Sequence, residues 1–244
     1  ALAGYQGVFT VLGFGYMLVL LTAIVGLRRH QTARLPKIAF LTTLKKTMVK
    51  KNLLRIYVVS WALEFFYAVM IIYTPILLLS QGFTWERIGF IFTVMLIPFV
   101  LVQYPLGIVA DKKWGEKELL FVALVIMGVS TVAVGFTRST DIVFWAGLLF
   151  LTRLGAAGIE VLRDSYFYKQ IGSTDTDIVA FFRTARPTAD IAAAGISLLF
   201  LSLFSVHSLF YLVGALTLGA CFAVLFLEDS KSEAELRATS TSIF

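Results

Sequence analysis

The sequence predicts an all-α polytopic membrane protein with seven transmembrane helices. Three observations carry that prediction. Of the 244 residues, 59% are hydrophobic and only 15% charged, whereas soluble domains are about half apolar and about a quarter charged. The apolar residues gather in seven runs, 4–27, 54–80, 88–110, 119–137, 142–165, 178–204 and 207–227, close to the roughly 20 residues a helix needs to cross a bilayer. Basic residues concentrate in the loops on one side of these runs.

The first run, 4–27, has no basic leader and is too long and glycine-rich for a signal peptide. The chain opens "ALAGYQ", without an initiator methionine and already entering a span, so a fragment lacking its N-terminal part is expected. Residues 28–53 follow as a basic linker. Within it Leu41, Leu44 and Met48 recur at helical spacing with Lys45, Lys46 and Lys50 between them, which predicts a short helix lying on the inner membrane surface. Residues 54–227 hold the remaining six runs, and 228–244 form a polar tail.

Charge placement sets the orientation. Nine basic residues lie from Arg28 to Arg55; Lys112, Lys113, Lys117, Lys169, Lys231 and Arg237 follow on the same side, fifteen in all. The opposite loops carry only Arg87 and Arg138. The positive-inside rule makes the fifteen-charge side cytoplasmic, so the linker and the tail are expected there. The net charge of +6 suits anionic headgroups; no nucleic-acid-binding motif accompanies it.

The third run ends in "YPLGIVADKKWGEKELL", residues 104–120. A carboxylate at Asp111 meets the negative end of its own helix dipole, so it needs a positive partner: another helix's N-terminus or a buried arginine. Gly107, one turn earlier, is expected to let a neighbouring helix approach. By residue type alone, a plain stop signal with solvated charges serves equally.

This stretch resembles the signature of the major facilitator superfamily: a glycine, three residues, an aspartate, a basic residue, then a glycine and another basic residue. Gly107, Asp111, Lys112, Gly115 and Lys117 match by type. Three residues separate Asp111 from Gly115, where the family usually has two, and Glu116 stands where a basic residue is common. The resemblance implies a C-terminal six-helix half bundle preceded by one helix of the other half, so the missing N-terminal half of the polypeptide is an expected partner. It implies a secondary transporter in which the motif aspartate meets the start of the eleventh helix and holds the cytoplasmic side shut. Here that places Asp111 near Arg183 and Arg186, with Glu160 and Asp164 available to Lys112 or Arg163.

Charges at bilayer depth cost roughly 2.5–3.5 kcal/mol on insertion scales, and three lie near mid-span. Glu64 is ten residues past Leu54, Arg153 twelve past Asp141 and Asp190 twelve past Ile178, each about 15–18 Å along a helix. One polar cavity at the bundle centre is expected, with Glu64, Arg153 and Asp190 as substrate or coupling residues and Trp61 and Tyr67 beside them. Structural alternatives stand next to this reading: a hydrogen bond for Glu64, an internal salt bridge for Arg153, a pairing of Asp190 with Arg186, and plain packing for the aromatics. Arg153, Ala157, Glu160 and Asp164 follow 4, 3, 4 spacing and share a helix face; with Arg163, Arg183 and Arg186 they make up a second, cytoplasmic charge network. Pro75, Pro98, Pro105 and Pro187, with Gly155 and Gly158, are read as sites of flexibility.

Other classes find no support in the sequence. The lone Cys221 excludes an internal disulfide or a cysteine metal cluster. No phosphate-binding loop of an ATP-driven pump occurs, nor a protease motif, nor a channel filter. The expected function is transport of a small solute by alternating access, with proton coupling suggested by a membrane carboxylate. The expectation includes no enzymatic activity, cofactor, metal or nucleic-acid partner, and a plasma (cell inner) membrane location among lipids. The alternative is a transporter-like receptor or scaffold that no longer transports.

Overall fold

A computed structural model describes residues 2–27, 50–112, 115–172 and 175–228. Two compact units divide the chain, 1–38 and 39–244. In the first, α1 (Leu2–Leu27) is one apolar helix of 26 residues, long enough to span a bilayer. The linker positions 28–49, including Leu41, Leu44 and Met48, lie outside the described residues, as do Lys113 and the tail from 229.

The second unit contains α2 (Lys51–Ser80), α3 (Trp85–Lys112), α4 (Glu116–Phe136), α5 (Ile142–Lys169), α6 (Thr176–Arg183), α7 (Ala185–Leu201) and α8 (Val206–Leu225). Among the described residues there is no strand. Five of these helices are long and apolar enough to cross a membrane: α2, α3 (over Trp85–Ile108), α4, α5 and α8. Their ends follow local rules. Asp141 caps α5, its carboxylate accepting from the Val143 amide at 2.8 Å, and so satisfies one orphan donor of the first turn. Glu116 and Glu118 open α4, where the dipole favours anions. The α2–α3 turn passes through Gly82 at φ 87°, a conformation that strains any residue with a Cβ.

The sixth apolar run departs from expectation. A single helix over 178–204 was predicted; the chain instead breaks at Thr184 into α6 and α7. The cause is Pro187. It has no N–H for the carbonyl of Arg183, and its ring crowds that carbonyl. The Thr184 amide turns back to Phe181 O at 2.9 Å, a tightened last turn. Aromatic packing clamps the break: Phe182 stacks on Phe167 with ring centroids 3.9 Å apart, and Phe181 on Tyr57 at 4.9 Å.

Helix neighbours follow an internal symmetry. The principal contacts are α3 with α5, α2 with α7, α4 with α5, α2 with α8, α4 with α8 and α2 with α5. Exchanging α2, α3 and α4 for α5, α6–α7 and α8 maps this set onto itself, as two three-helix repeats in one bundle require. Small residues bring the backbones together. A Cβ on Gly155 of α5 would stand 2.7 Å from Ala123 O and 2.6 Å from Met127 N of α4. Gly128 and Gly214 do the same for α4 and α8, a Cβ on Gly214 lying 3.0 Å from Gly128 O.

Two readings of glycine are thereby corrected. Gly107 meets nothing within 4 Å, so no described neighbour uses it for close approach. Gly155 is a packing contact and not a flexible point, because its missing side chain is filled by the facing backbone.

Candidate functional site: a charged cavity among α2, α5 and the α6–α7 break

Ser60 and Glu64 sit one turn apart on α2, and α5 brings Arg163 and Asp164 against them. The Arg163 guanidinium lies 2.9 Å from Glu64 Oε1 and donates to Ser60 Oγ at 2.7 Å. Its Nε is 3.3 Å from Asp164 Oδ1, an ion-pair contact without hydrogen-bond geometry. Arg163 is buried, so these acceptors replace its water. Phe182, Arg183, Ala185 and Arg186 complete a cavity of about 360 Å³. The helix break sets this wall, delivering Arg183 and Arg186 from its two sides. Tyr57 holds the break, its hydroxyl 3.2 Å from Thr184 Oγ1 and 3.4 Å from Thr188 Oγ1.

The cavity contains one residue expected for coupling, Glu64, and four from the expected cytoplasmic network, Arg163, Asp164, Arg183 and Arg186. Sequence reasoning kept the two groups apart; the structure joins them through Arg163. Glu160 belongs elsewhere: it accepts from the Tyr67 hydroxyl at 3.2 Å, and no described contact links it to Arg163.

The single mid-membrane cavity is also corrected. Arg153 is buried, 3% exposed, with its guanidinium over the rings of Phe66 (5.2 Å) and Tyr67 (5.4 Å), a cation–π arrangement. It makes no ion pair among the described residues. Trp61 stacks on Phe65, centroids 5.2 Å apart. Asp190 lines a separate cavity, with no ion pair to Arg186. Asp190 is in the second turn of α7, one turn beyond Arg186, and so meets Ala68 and Ile72 of α2 where Arg186 meets Ser60 and Glu64.

Of the motif, Gly107, Asp111 and Lys112 end α3, Gly115 is the N-cap of α4 and Lys117 is in its first turn. The side chains of Asp111 and Lys112 lie outside the described residues. One motif residue gains a partner that sequence reasoning missed. Glu116 is 1% exposed, its Oε1 lies 2.8 Å from Lys169 Nζ, and it accepts from the Ser165 hydroxyl. The signal was present: an acidic residue where the family motif is commonly basic.

A sequence profile of the Major Facilitator Superfamily matches residues 86–242, from the start of α3 into the tail. No curated protein matches the chain. With a helical bundle of membrane-crossing length and a profile match over more than half its residues, the chain belongs to the major facilitator superfamily and is a multi-pass membrane transporter of that family, working on a small molecule within a lipid environment.

Proposed function

We propose that the chain is the C-terminal half, with one preceding helix, of a proton-coupled secondary transporter that works by alternating access. In this reading residues 54–227 form the half bundle, 28–53 the cytoplasmic linker, and the N-terminal half of the same polypeptide supplies the other wall of the pathway. The positive-inside distribution supports a cytoplasmic linker and tail, and a plasma-membrane location is part of the same proposal.

The observation that carries the proposal is the Glu64–Arg163 pair on the wall of a charged cavity. A proton on Glu64 removes one of the two carboxylates beside Arg163, the one contributed by α2, and leaves Asp164 of its own helix and Ser60. Loss of that interhelical ion pair ties protonation of the carboxylate to a rearrangement of α2 against α5. Arg153, Tyr67, Trp61 and Asp190 are proposed as further substrate or coupling residues. Gly107, Asp111, Lys112, Gly115 and Lys117 are proposed as the cytoplasmic gate, with Asp111 latching onto the α6–α7 region.

The test uses the full-length transporter in proteoliposomes with an internal pH dye, challenged with panels of sugars, amino acids and organic ions. One solute class should move protons, and Glu64→Gln should abolish the proton movement. Solute binding without flux in every panel would favour a receptor or scaffold instead.

A further inference from the structure

A second cavity, of about 510 Å³, runs between α2 and α7. Ser60 and Glu64 of the charged cavity and Ala68 and Ile72 of this one form a single stripe on α2, spaced four apart. The two cavities therefore follow one another along the same helix face. Their chemistry differs. Val69, Ile72, Ala193 and Leu198 give the second an apolar wall, and no residue lining it is basic.

Three residues with polar groups interrupt that wall, Tyr73, Asp190 and Ser197, and the two on α7 lack partners among the described residues. Asp190 lines the cavity from α7 and takes part in no ion pair among the described residues. Ser197 is fully buried and its Oγ has no hydrogen-bond partner. Helical serines ordinarily bond a carbonyl one turn back, as Ser130 and Ser202 do here. Asp190 and Ser197 are two turns apart on α7, about 10 Å along its axis. A negative charge, an apolar wall and an unused hydroxyl line one cavity, in the roughly 300–1,000 Å³ range of small-molecule sites.

We propose that this cavity binds an elongated organic cation whose ammonium meets Asp190, whose apolar body lies along Ile72 and Ala193, and whose polar far end reaches Ser197. The inference deepens the transport reading by naming a ligand class, and it rests on that reading only for the use to which binding is put.

The test is fluorescence titration of the purified chain in lipid nanodiscs with dansylcadaverine, a primary ammonium joined by an alkyl chain to a sulfonamide and an environment-sensitive ring. Saturable enhancement is expected. Asp190→Asn should weaken binding about ten-fold or more and Ser197→Ala about three-fold, the usual scale of a charged and a neutral hydrogen bond. Asp190→Glu should retain affinity, which separates loss of charge from loss of fold, and Asp177→Asn should bind as the unaltered chain. The N-acetylated probe, which has no charge, should not saturate. Unchanged affinity in Asp190→Asn, or equal binding of the acetylated probe, would overturn the inference. Flux through the full-length protein is a separate readout: cation binding that persists where no solute moves would count against the transport reading alone.

Discussion

Arg163 on α5 reaches across to α2 and lies 2.9 Å from Glu64, with side-chain exposures of only 10% and 12%. The pair crosses the boundary between the two three-helix repeats, so any sliding of one repeat against the other must stretch or exchange it. A double-mutant cycle of Glu64→Gln and Arg163→Gln should show a coupling of about 0.5–3 kcal/mol, the range for residues in one ion-pair network. Unfolding in mixed micelles measures it; additive losses would mean that the pair holds nothing together.

Packing at Gly155 sets a second expectation. Gly155→Ala places a Cβ 2.6–2.7 Å from backbone atoms of α4, and overpacking of this kind costs typically about 1–3 kcal/mol. Gly147→Ala, whose Cβ meets nothing within 4 Å, is the control. Thermal unfolding in detergent should lower the midpoint of the first variant and leave the second near the parent; equal midpoints would contradict the close approach of α4 and α5.

Replacing Pro187 should heal the break. Pro187→Ala restores the N–H that the Arg183 carbonyl lacks, so α6 and α7 should merge and carry Arg183 and Arg186 out of the charged cavity. Spin labels at positions 177 and 191 would read this as a changed separation. An unaltered distance would show that the Tyr57, Phe167 and Phe182 contacts hold the break without the proline.

Asp111→Asn tests the gate. A charge-assisted contact contributes on the order of 1.5–3 kcal/mol, and removing that from one conformation should shift an inward/outward equilibrium about ten- to a hundred-fold. Full-length protein carrying this change should insert normally, expose its cytoplasmic side more often and transport slowly. If single-cysteine labelling on both faces is unaltered, the motif is only a topology signal.

Orientation has its own check. Cysteines introduced as Lys45→Cys and Lys112→Cys should both react from the cytoplasmic face, and Arg87→Cys from the other. Reaction of the first two on opposite faces would sink the proposed arrangement of linker and bundle.

Membrane character was determined by the sequence alone, because the length of an apolar run is a local property matched directly to bilayer thickness. The same holds for the family signature at Gly107–Lys117, whereas Pro187 reads only as a flexible point in a run taken as continuous. Partnership was decided only by the tertiary structure. Glu64, Arg153 and Asp190 have similar counts from their run starts, yet one enters an arginine pair, one lies beneath aromatic rings and one faces an apolar cavity. Depth along a helix follows from residue number, whereas the face a residue presents to a particular neighbour depends on which helices cross and where they break. Glu116 shows the same limit: its unusual sign was visible in the motif, but its burial against Lys169 depends on how the start of α4 meets the far end of α5, which the sign alone does not specify.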